Sequence, residues 1–382
     1  MNDPKIPSVM DLLDKATKRD AHPYLFYENV QNTPVLMQQC LEGNCLQSIQ
    51  ELASIFHKKQ FKKVFFSGCG TSLFAGKVIG FGFDQILKTP TSAEDPFETQ
   101  IYPPSDLGKD TALIIITHSG NTLVDRQVAE MAKKLGVFIA AFTDNPEAAI
   151  LSQVDHAVVG PGGRDIAIPK TRSYTTALLR GMMLVAEIAN LGGDHSLWKE
   201  IETLPQNAEK TIRENEDLVK EFTQKWTKAD RVYGVGVGPN AWTGLEFGLK
   251  MMETNGMPSF GFELEEYCHG VELSLTDQSA ALFFQSGDIG LDRCIAAVKA
   301  TAATGSKTAV ISSNSEVKWP ESTHAMLIPA SHDLLSPILM ILPAQLMVYY
   351  TALALGKNPD VAGTDNPKIK EAISILHPPG TH

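Results

Sequence analysis

Cysteine is scarce in this 382-residue chain, and no two cysteines have the CxxC spacing of a metal-binding or redox pair. The five present are Cys40, Cys45, Cys69, Cys268 and Cys294. An odd number without such a motif argues against a disulfide scaffold and against a structural zinc site. We therefore expect a cytoplasmic protein with no bound metal.

A surplus of positive charge and long apolar runs are also lacking. Lys and Arg number 33 against 44 Asp and Glu, so the formal net charge is -11. An acidic surface disfavours binding to nucleic acids and to anionic membranes. No uninterrupted run of about 18 apolar residues is present, and the polar N-terminal segment lacks the apolar stretch of a secretory signal. We expect a globular protein that binds neither nucleic acid nor membrane.

A repeat relates the two halves of the chain. The segments VFFSGCGTSLFAGKVIG and VYGVGVGPNAWTGLEFG begin at 64 and 232, 168 residues apart. A second pair follows, HSGN at 118–121 and QSGD at 285–288. Such self-similarity indicates two copies of one structural unit. In the first pair four glycines coincide: Gly68, Gly70, Gly76 and Gly80 align with Gly236, Gly238, Gly244 and Gly248.

Each copy has the pattern of alternating strands and helices. Apolar runs such as ALIIIT at 112–117 and VFIAAFT at 137–143 are typical of buried parallel strands. Helices are predicted at 72–86, 123–135 and 173–190, and the second copy repeats the strands as RVYGVG, SAALFFQSG, KTAVISS and HAMLIPA. This alternation predicts an α/β fold with a doubly wound parallel sheet flanked by helices in each copy. On the helix at 123–135, the predicted apolar face consists of Val124, Val128, Met131 and Leu135.

The remaining segments are predicted to be helical. We expect a helical leader at 1–45, which has no strand pattern, and a helical linker at 201–230. The charged stretch from Glu200 to Asp230 is expected to form one long helix. The first domain then covers 46–200 and the second covers 231–375, in keeping with roughly 100–200 residues per domain.

Two loops of the first copy have the composition of a phosphate site. The loop at 68–72, GCGTS, ends one strand and opens a helix, and the loop at 117–122, THSGNT, follows the next strand. Glycines let an oxyanion approach the backbone, and helix N-termini offer unpaired N–H groups. Either loop alone would be interpreted as a helix cap. Together they predict a phosphate site made of Gly70, Thr71, Ser72, Thr117, His118, Ser119 and Thr122.

The second copy departs from this composition. Pro239 and Asn240 replace the Thr71-Ser72 pair, and Asp288 and Ile289 replace the Asn121-Thr122 pair. Proline removes an N–H donor, and an aspartate repels phosphate. We expect one phosphate site per chain, in the first half.

The two loops, with TRSYTTALL at 171–179, resemble the sugar isomerase (SIS) family. The tandem arrangement resembles the isomerase half of glucosamine-6-phosphate synthase, over roughly residues 45–375. It is also similar to stand-alone fructosamine-6-phosphate deglycases, SIS-type glucosamine-6-phosphate deaminases and ketose/aldose isomerases. The resemblance implies two SIS domains, each a flavodoxin-like three-layer sandwich. Departures are Val271, where the family commonly has proline, and Lys170-Thr171-Arg172, where it has serine-threonine-lysine.

The resemblance implies catalytic residues in the segment at 246–270. The family's lysine, the glutamate three residues later and the histidine sixteen further on fall on Lys250, Glu253 and His269. Glu253 would move a proton between C1 and C2 of the sugar, because a carboxylate beside both carbons can serve as the base. His269 would assist ring opening, and Lys250 would donate to a hydroxyl or an oxyanion. The family's C-terminal lysine has only an imperfect counterpart near Lys368 or Lys370.

Less specific interpretations exist for the same residues. Glu246, Lys250 and Glu253 have the spacing of a solvated salt-bridge face, and His269 could be an ordinary loop histidine. The acidic group Glu263, Glu265 and Glu266 is either solvated or recognises an amine.

Several functions remain open at this point. The resemblance favours a fructosamine-6-phosphate deglycase, with an aldose-ketose isomerase or a glucosamine-6-phosphate deaminase as alternatives. The absence of an ammonia-generating domain argues against glucosamine-6-phosphate synthesis. A phosphosugar-sensing module without catalysis is a different class of function, and a flavodoxin-like nucleotide-binding protein is disfavoured because no GxGxxG motif with an acidic ribose partner is present. We expect no cofactor, because an enediol route needs none. The family implies a homodimer or larger assembly in which the histidine can come from a neighbouring subunit.

Overall fold

The computed structural model describes residues 19–381 and groups them into two compact units. The first unit contains 35–202 and 364–381, and the second contains Arg19–Pro34 and Thr203–Gly363. Of the predicted leader, residues 1–18 lie outside the described residues. The strands are β1 Lys63–Ser67, β2 Thr91–Glu94, β3 Thr111–Ile116, β4 Phe138–Thr143, β5 His156–Val159, β6 Arg231–Gly236, β7 Ser259–Glu263, β8 Ser279–Gln285, β9 Lys307–Ser312 and β10 Thr323–Leu327. The helices are α1 Leu25–Cys40, α2 Gly43–Lys59, α3 Thr71–Gln85, α4 Pro96–Ile101, α5 Leu123–Lys134, α6 Arg172–Leu191, α7 Ser196–Ile201, α8 Leu204–Thr223, α9 Pro239–Asn255, α10 Leu264–Tyr267, α11 Leu291–Ala303, α12 Ser336–Ala354 and α13 Pro367–Leu376.

The first unit is built on a parallel sheet with the order β2-β1-β3-β4-β5. Every residue of β3 and β4 is buried, as expected for strands covered on both faces. Helix α5 packs on one face through Val128, Ala129 and Ala132. Helix α6 packs against α2 and against α3. Sheet and helices thus form a doubly wound unit.

The second unit repeats this arrangement with the order β10-β9-β8-β6-β7. Counted along the chain, both sheets have the order 2-1-3-4-5 of flavodoxin. Helix α9 packs on β6 and β7, and α12 packs on α8 and α9. The predicted fold class is confirmed. The edge strands β2 and β7 were not predicted, because neither TSAE nor SFGFE is a continuous apolar run.

One helix of the second unit is apolar enough to resemble a membrane span. The segment Asp333–Ala354 has 22 residues and a mean hydropathy of 1.5, and 89% of its most apolar window is buried inside the protein. By length and composition alone it could cross a membrane. Its packing against α8 and α9 is that of a core helix.

The repeated glycines mark close contacts between helix and strand. A Cβ atom on Gly76 would lie 2.8 Å from Cβ of Phe66 in β1. At the equivalent place in the second unit, a Cβ on Gly244 would lie 2.8 Å from the carbonyl oxygen of Gly234 in β6. Both contacts require a residue without a side chain. The repeated glycines are therefore explained by the close approach of α3 and α9 to their sheets.

Two sequence-based expectations need correction. The stretch from Glu200 to Asp230 is not one helix, since α7 ends at Ile201, α8 covers Leu204–Thr223 and a 3-10 turn follows at Gln224–Lys228. Pro205 explains the interruption, because proline favours the first turn of a new helix.

The prediction of which residues of α5 are buried was also wrong in part, because the buried face is rotated by about one residue. Leu135 is 44% exposed. The buried residues are Asp125, Val128, Ala129 and Ala132. The apolar pattern failed because it treats an aspartate as a surface residue.

A carboxylate holds the first helix of the second unit. The backbone N–H groups of Leu25 and Phe26 donate to Asp360 at 3.0 and 2.8 Å. These are unpaired donors of the first turn of α1, and the negative charge also favours the helix dipole. His22 and Tyr349 are hydrogen-bonded nearby at 2.8 Å. Residues 19–34 are thereby tied to a segment more than three hundred positions later.

Replacing this cap should destabilise the second unit. We expect Asp360→Ala to lower the free energy of unfolding by about 1–2 kcal/mol, as for the loss of other helix caps. Asp360→Asn should lose less, because its amide oxygen still accepts a hydrogen bond. Urea unfolding followed by circular dichroism measures both. Equal stability of Asp360→Ala and the unmodified chain would contradict the role of the cap.

Candidate active site

The switch in strand order places the two predicted phosphate loops side by side. Strand β1 pairs with β2 on one side and with β3 on the other, and Ser67 is in register with Ile115. Ligands of open α/β sheets bind at the carboxyl ends of such neighbouring strands. The loops at 68–72 and 117–122 both leave the sheet there. The structure brings together the residues predicted from the sequence for this site.

The first loop is shaped by two glycines. Gly70 has φ 54° and precedes the first residue of α3, Thr71. A Cβ atom on Gly68 would lie 2.7 Å from the carbonyl oxygen of Ile116, the last residue of β3. Thr71 and Ser72 are half-buried in the first turn of α3. Their hydroxyl groups stand where a helix N-terminus attracts an anion.

The second loop is held by hydrogen bonds within the protein. The Ser119 carbonyl accepts from the amide of Asn145 at 2.8 Å, and the Ser119 hydroxyl accepts from the Asn121 N–H at 3.2 Å. Asn121 in turn accepts from the N–H of Ala149 at 3.0 Å. As an acceptor, the Ser119 hydroxyl keeps its own proton for donation. The loop is thus ordered by its surroundings.

His118 uses both ring nitrogens inside the protein. Its Nδ1 bonds to Oδ2 of Asp144 at 3.0 Å, and its Nε2 accepts from the N–H of Asp165 at 2.8 Å. An acceptor at Nε2 places the proton on Nδ1. The predicted phosphate contact is therefore not available to these nitrogens, and the geometry suits a histidine that positions its loop.

Behind His118 lies a buried ion pair that sequence reasoning missed. Nη2 of Arg180, 1% exposed, lies 2.8 Å from Oδ1 of Asp144. Burial alone would raise the pKa of Asp144, but the charge of Arg180 and the bond to His118 outweigh it and hold that pKa below its usual value. Asp144 stays ionised and orients His118. Arginine and aspartate 36 positions apart leave no local signal in a sequence.

The corresponding loops of the second unit are occupied by their own contacts. The Asn240 amide donates to Ser336 at 2.8 Å, and the Ser286 hydroxyl donates to Asp333 at 2.7 Å. Asp288 accepts from the amide of Asn314 at 3.0 Å. Two carboxylates beside these loops disfavour an anion. This supports the prediction of a single phosphate site in the first half.

Lys250 and Glu253 form a tight ion pair on α9 of the second unit. Nζ of Lys250 lies 2.6 Å from Oε2 of Glu253 and 3.4 Å from Oε1 of Glu246. The Lys250 side chain is 1% exposed, Glu246 is fully buried and Glu253 is 30% exposed. Burial alone would lower the pKa of Lys250, but the two carboxylates outweigh it and raise that pKa. A solvated salt-bridge face is excluded by this burial.

This arrangement gives the three residues distinct roles. The charged Lys250 is enclosed between two carboxylates, so it is placed to orient Glu253 and not to reach solvent. Glu246 balances the buried charge from the other side. Glu253 is the one member with an accessible side chain, and a carboxylate held in a fixed direction is suited to move a proton.

His269 is exposed and is held by a different partner, Glu265. Its side chain is 72% exposed, and Nδ1 bonds to the carbonyl oxygen of Glu265 at 2.7 Å. Glu265 forms a two-bond ion pair with Arg293 at 2.6 and 2.8 Å. All three members of the acidic group, Glu263, Glu265 and Glu266, are exposed.

A second buried acid, also missed, lies beneath the phosphate loops. Asp125 in the first turn of α5 is 2% exposed. Burial raises its pKa to about 7, although the hydroxyls of Thr117 and Thr122 favour its charged form. A much later segment of the chain also contacts the start of α5, where the Leu123 N–H donates to the carbonyl oxygen of Thr381 at 3.0 Å.

The remaining candidates carry less information. Lys368 and Lys370 lie on α13 and are exposed. Among the described residues, no group of three or more His, Cys, Asp or Glu side chains is arranged to hold a metal ion.

The SIS domain family matches this chain twice, at residues 57–187 and 225–355. The chain belongs to the SIS family. Both bounds of the second match lie 168 residues after those of the first, which is the shift of the glycine repeat.

Relatives of this SIS chain are enzymes of sugar-phosphate metabolism by name. It is 24% identical over 309 residues to a glutamine–fructose-6-phosphate aminotransferase of Clostridium tetani, covering 79% of this chain and 50% of the relative. It therefore spans about half the length of that relative. The predicted homology to the isomerase half of glucosamine-6-phosphate synthase is confirmed.

Two solved structures show the same fold. The C-terminal domain of the Francisella tularensis glucosamine-fructose-6-phosphate aminotransferase superposes with a TM-score of 0.81 at 19% identity, covering 90% of this chain and 100% of that domain. Glucosamine-6-phosphate deaminase from Thermotoga maritima gives 0.71 at 20% identity, covering 88% and 97%.

The close contact between the two phosphate loops can be tested at Gly68. We expect Gly68→Ala to lower the free energy of unfolding by about 1–3 kcal/mol, because its Cβ would overpack against backbone of β3. Gly108→Ala is the matched control, since a Cβ there meets nothing within 4 Å. Thermal and urea unfolding measure both variants. A stability loss no larger in Gly68→Ala than in the control would show that the loops do not depend on this contact.

Proposed function

We propose that this SIS chain is an enzyme that moves a proton between C1 and C2 of a sugar 6-phosphate. The finer proposal is a fructosamine-6-phosphate deglycase. The observation that carries the catalytic part is the buried Lys250, which fixes the partly exposed carboxylate of Glu253 at 2.6 Å. Buried ion pairs are costly unless they are well compensated, and this one leaves a single carboxylate within reach of solvent.

The phosphoryl group is assigned to the loops of the first unit. Hydroxyls of Thr71, Ser72 and Ser119 and the N-termini of α3 and α5 would hold it. Thr117 and Thr122 add two further hydroxyls. These donors are neutral, so they bind the anion by hydrogen bonds without a lysine.

The proton transfer is assigned to Glu253. As the carboxylate, it would take the proton from C1 of a fructosamine 6-phosphate and give an enolamine. Returning the proton to C2 gives an imine at C1, which water hydrolyses to the aldose 6-phosphate and the free amine. Lys250 would keep the carboxylate oriented throughout, and the same base could interconvert a ketose and an aldose.

His269 is proposed to act across an interface between two copies of the chain. Its ring is 72% exposed and is anchored by one nitrogen to the Glu265 carbonyl. The other nitrogen would then donate or accept a proton. A homodimer or larger assembly is part of this proposal, and a cytoplasmic location is the predicted compartment.

The deglycase specificity rests on the acidic surface near His269. Exposed Glu263 precedes α10 and exposed Glu266 lies within it, and a cationic amine is the group they would favour. A panel of fructosamine 6-phosphates, ketohexose 6-phosphates and glucosamine 6-phosphate, assayed for released amine, aldose and ammonia, separates deglycase, isomerase and deaminase. Binding of these compounds without any turnover would support the sensing module instead.

Glu253→Gln tests the base. The amide keeps the size of the side chain and can still accept from Lys250, so the fold should persist, while kcat should fall by about 10²–10⁴-fold. Glu221→Gln is the control, because Glu221 is exposed on α8 of the same unit. Steady-state kinetics on the best substrate of the panel gives the result. Unchanged kcat in Glu253→Gln would remove Glu253 from the reaction.

Ser119→Asp tests the phosphate loops. A carboxylate at this buried position should repel the phosphoryl group and weaken binding of phosphorylated sugars by at least about 100-fold, that is, about 3 kcal/mol. Ser54→Asp adds the same charge at an exposed position of α2 and should bind normally. Ser119→Ala removes one hydroxyl donor without adding charge, so it should show a smaller loss of affinity. It keeps the test valid if the aspartate perturbs folding. Calorimetric titration with a sugar 6-phosphate measures all three, and retained affinity in Ser119→Asp would place the anion elsewhere.

A further inference from the structure

We propose that Asp125 carries a proton when a phosphoryl group is bound, so that this chain takes up one proton as it binds a sugar phosphate. The inference rests on the proposed function, because it concerns the phosphate loops of the first unit. It assigns to Asp125 a positioning role for the hydroxyls of those loops. Nothing in the family likeness or in the loop composition points to this residue.

The position of Asp125 is the first observation. The residue is 2% exposed in the first turn of α5, directly after the loop at 117–122. The hydroxyls of Thr117 and Thr122 lie close enough to its carboxyl group to favour the charged form. The thiol of Cys69, in the other phosphate loop, is close enough to interact electrostatically with it. Both phosphate loops therefore lie around one buried acid.

The second observation is an unsatisfied atom. Oδ1 of Asp125 is buried and has no hydrogen-bond partner among the described residues. A buried carboxylate normally has every oxygen paired, since leaving one unpaired costs free energy. Protonation removes the charge that makes this lone oxygen costly. The site thus favours a carboxylic acid over a carboxylate.

The surrounding charges agree with this interpretation. The titratable and charged groups near Asp125 are Asp95, which precedes α4, Arg126 on the same helix, and the thiol of Cys69. Arg126 donates to the carbonyls of Asn121 and Gly380 at 3.1 and 3.2 Å. The Arg126 guanidinium is thus directed at two carbonyl oxygens. No salt bridge joins it to Asp125 among the described residues. Burial raises the pKa of Asp125 to about 7.

Hydrogen-bond direction connects the acid with the ligand. Each threonine hydroxyl has one proton to donate. An ionised Asp125 repels the anion, and it draws the protons of the nearby Thr117 and Thr122 hydroxyls towards itself and away from a phosphoryl oxygen. When Asp125 is protonated, its O–H donates to a threonine oxygen and the threonine proton turns to the phosphoryl group. Proton and phosphoryl group therefore favour each other by linkage.

The ligand for the test is glucitol 6-phosphate, a sugar-alcohol phosphate with no carbonyl to react. Unphosphorylated glucitol and inorganic phosphate are the companion probes. Calorimetric titration at about pH 8 in buffers of different ionisation enthalpy counts the protons taken up. We expect close to one proton per glucitol 6-phosphate in the unmodified chain. This count requires no variant, so it does not depend on how a mutant folds.

The affinity should also change with pH. Between about pH 7.5 and 9 the phosphoryl group is already a dianion, so a change in Kd reports on the protein. We expect Kd of the unmodified chain to rise on the order of 30-fold over this range, at nearly tenfold per pH unit. Asp125→Asn should show a change below about threefold, with no proton uptake, because its amide donates at every pH. Asp95→Asn is the matched control and should keep the steep profile.

A ligand-free measurement checks the same group. Because its pKa is raised in the folded chain from 3.8 to about 7, the folded state binds the proton more tightly than the unfolded state. The unmodified chain should therefore lose stability relative to Asp125→Asn as pH rises through that interval. Equal pH dependence of the two chains would contradict the inference.

The outcomes separate this inference from the function beneath it. Binding of glucitol 6-phosphate without proton uptake, or with the same uptake in Asp125→Asn, overturns the role of Asp125 and leaves the phosphate site intact. Absence of binding at any pH overturns the phosphate site and this inference together.

Discussion

Hydrogen bonding between the parallel strands β1 and β3 is the constraint on which the proposed phosphate site depends. The pairing of Ser67 with Ile115 brings two chain segments about fifty residues apart to one edge of the sheet. Gly68 lets them meet without a side chain between them. Because the strand order reverses its direction there, the helices that follow leave an open crevice. The second unit has the same strand pairing, but its loops are closed by their own side chains.

Buried charge is the second theme of this molecule. Arg180 is neutralised by Asp144, and Lys250 by Glu246 and Glu253. Removing Asp144 would leave Arg180 uncompensated in a medium of low polarity, whereas Lys250 without Glu253 would still be balanced by Glu246. The two groups differ in what they contact. Asp144 bonds to His118, whose ring nitrogens are both hydrogen-bonded within the protein, whereas Lys250 bonds to Glu253, whose carboxylate is partly exposed to solvent. Chemistry is expected at the second.

The sequence was sufficient for the architecture and for placing the two glycine-containing loops after neighbouring strands. Apolar strand runs and the coincident glycines predicted two parallel sheets, because those signals are local. The edge strands β2 and β7 escaped, since short strands at a margin need no continuous apolar run. Arg180 with Asp144 and the buried Asp125 escaped for a different reason. Charged residues are taken to be exposed unless a partner is known. Asp144 lies 36 positions from Arg180, and nothing in the sequence around Asp125 marks it as buried.

The segment that precedes the first unit in sequence belongs to the second unit in space. Residues 19–34 reach their hydrogen-bond acceptor at Asp360 and their aromatic neighbour at Tyr349 only after nearly the whole polypeptide exists. During ribosomal synthesis this segment cannot form these contacts until the residues up to Asp360 have been made. A chain truncated before Asp360 lacks the cap of α1 and part of the second unit. Such a product would remain incompletely folded.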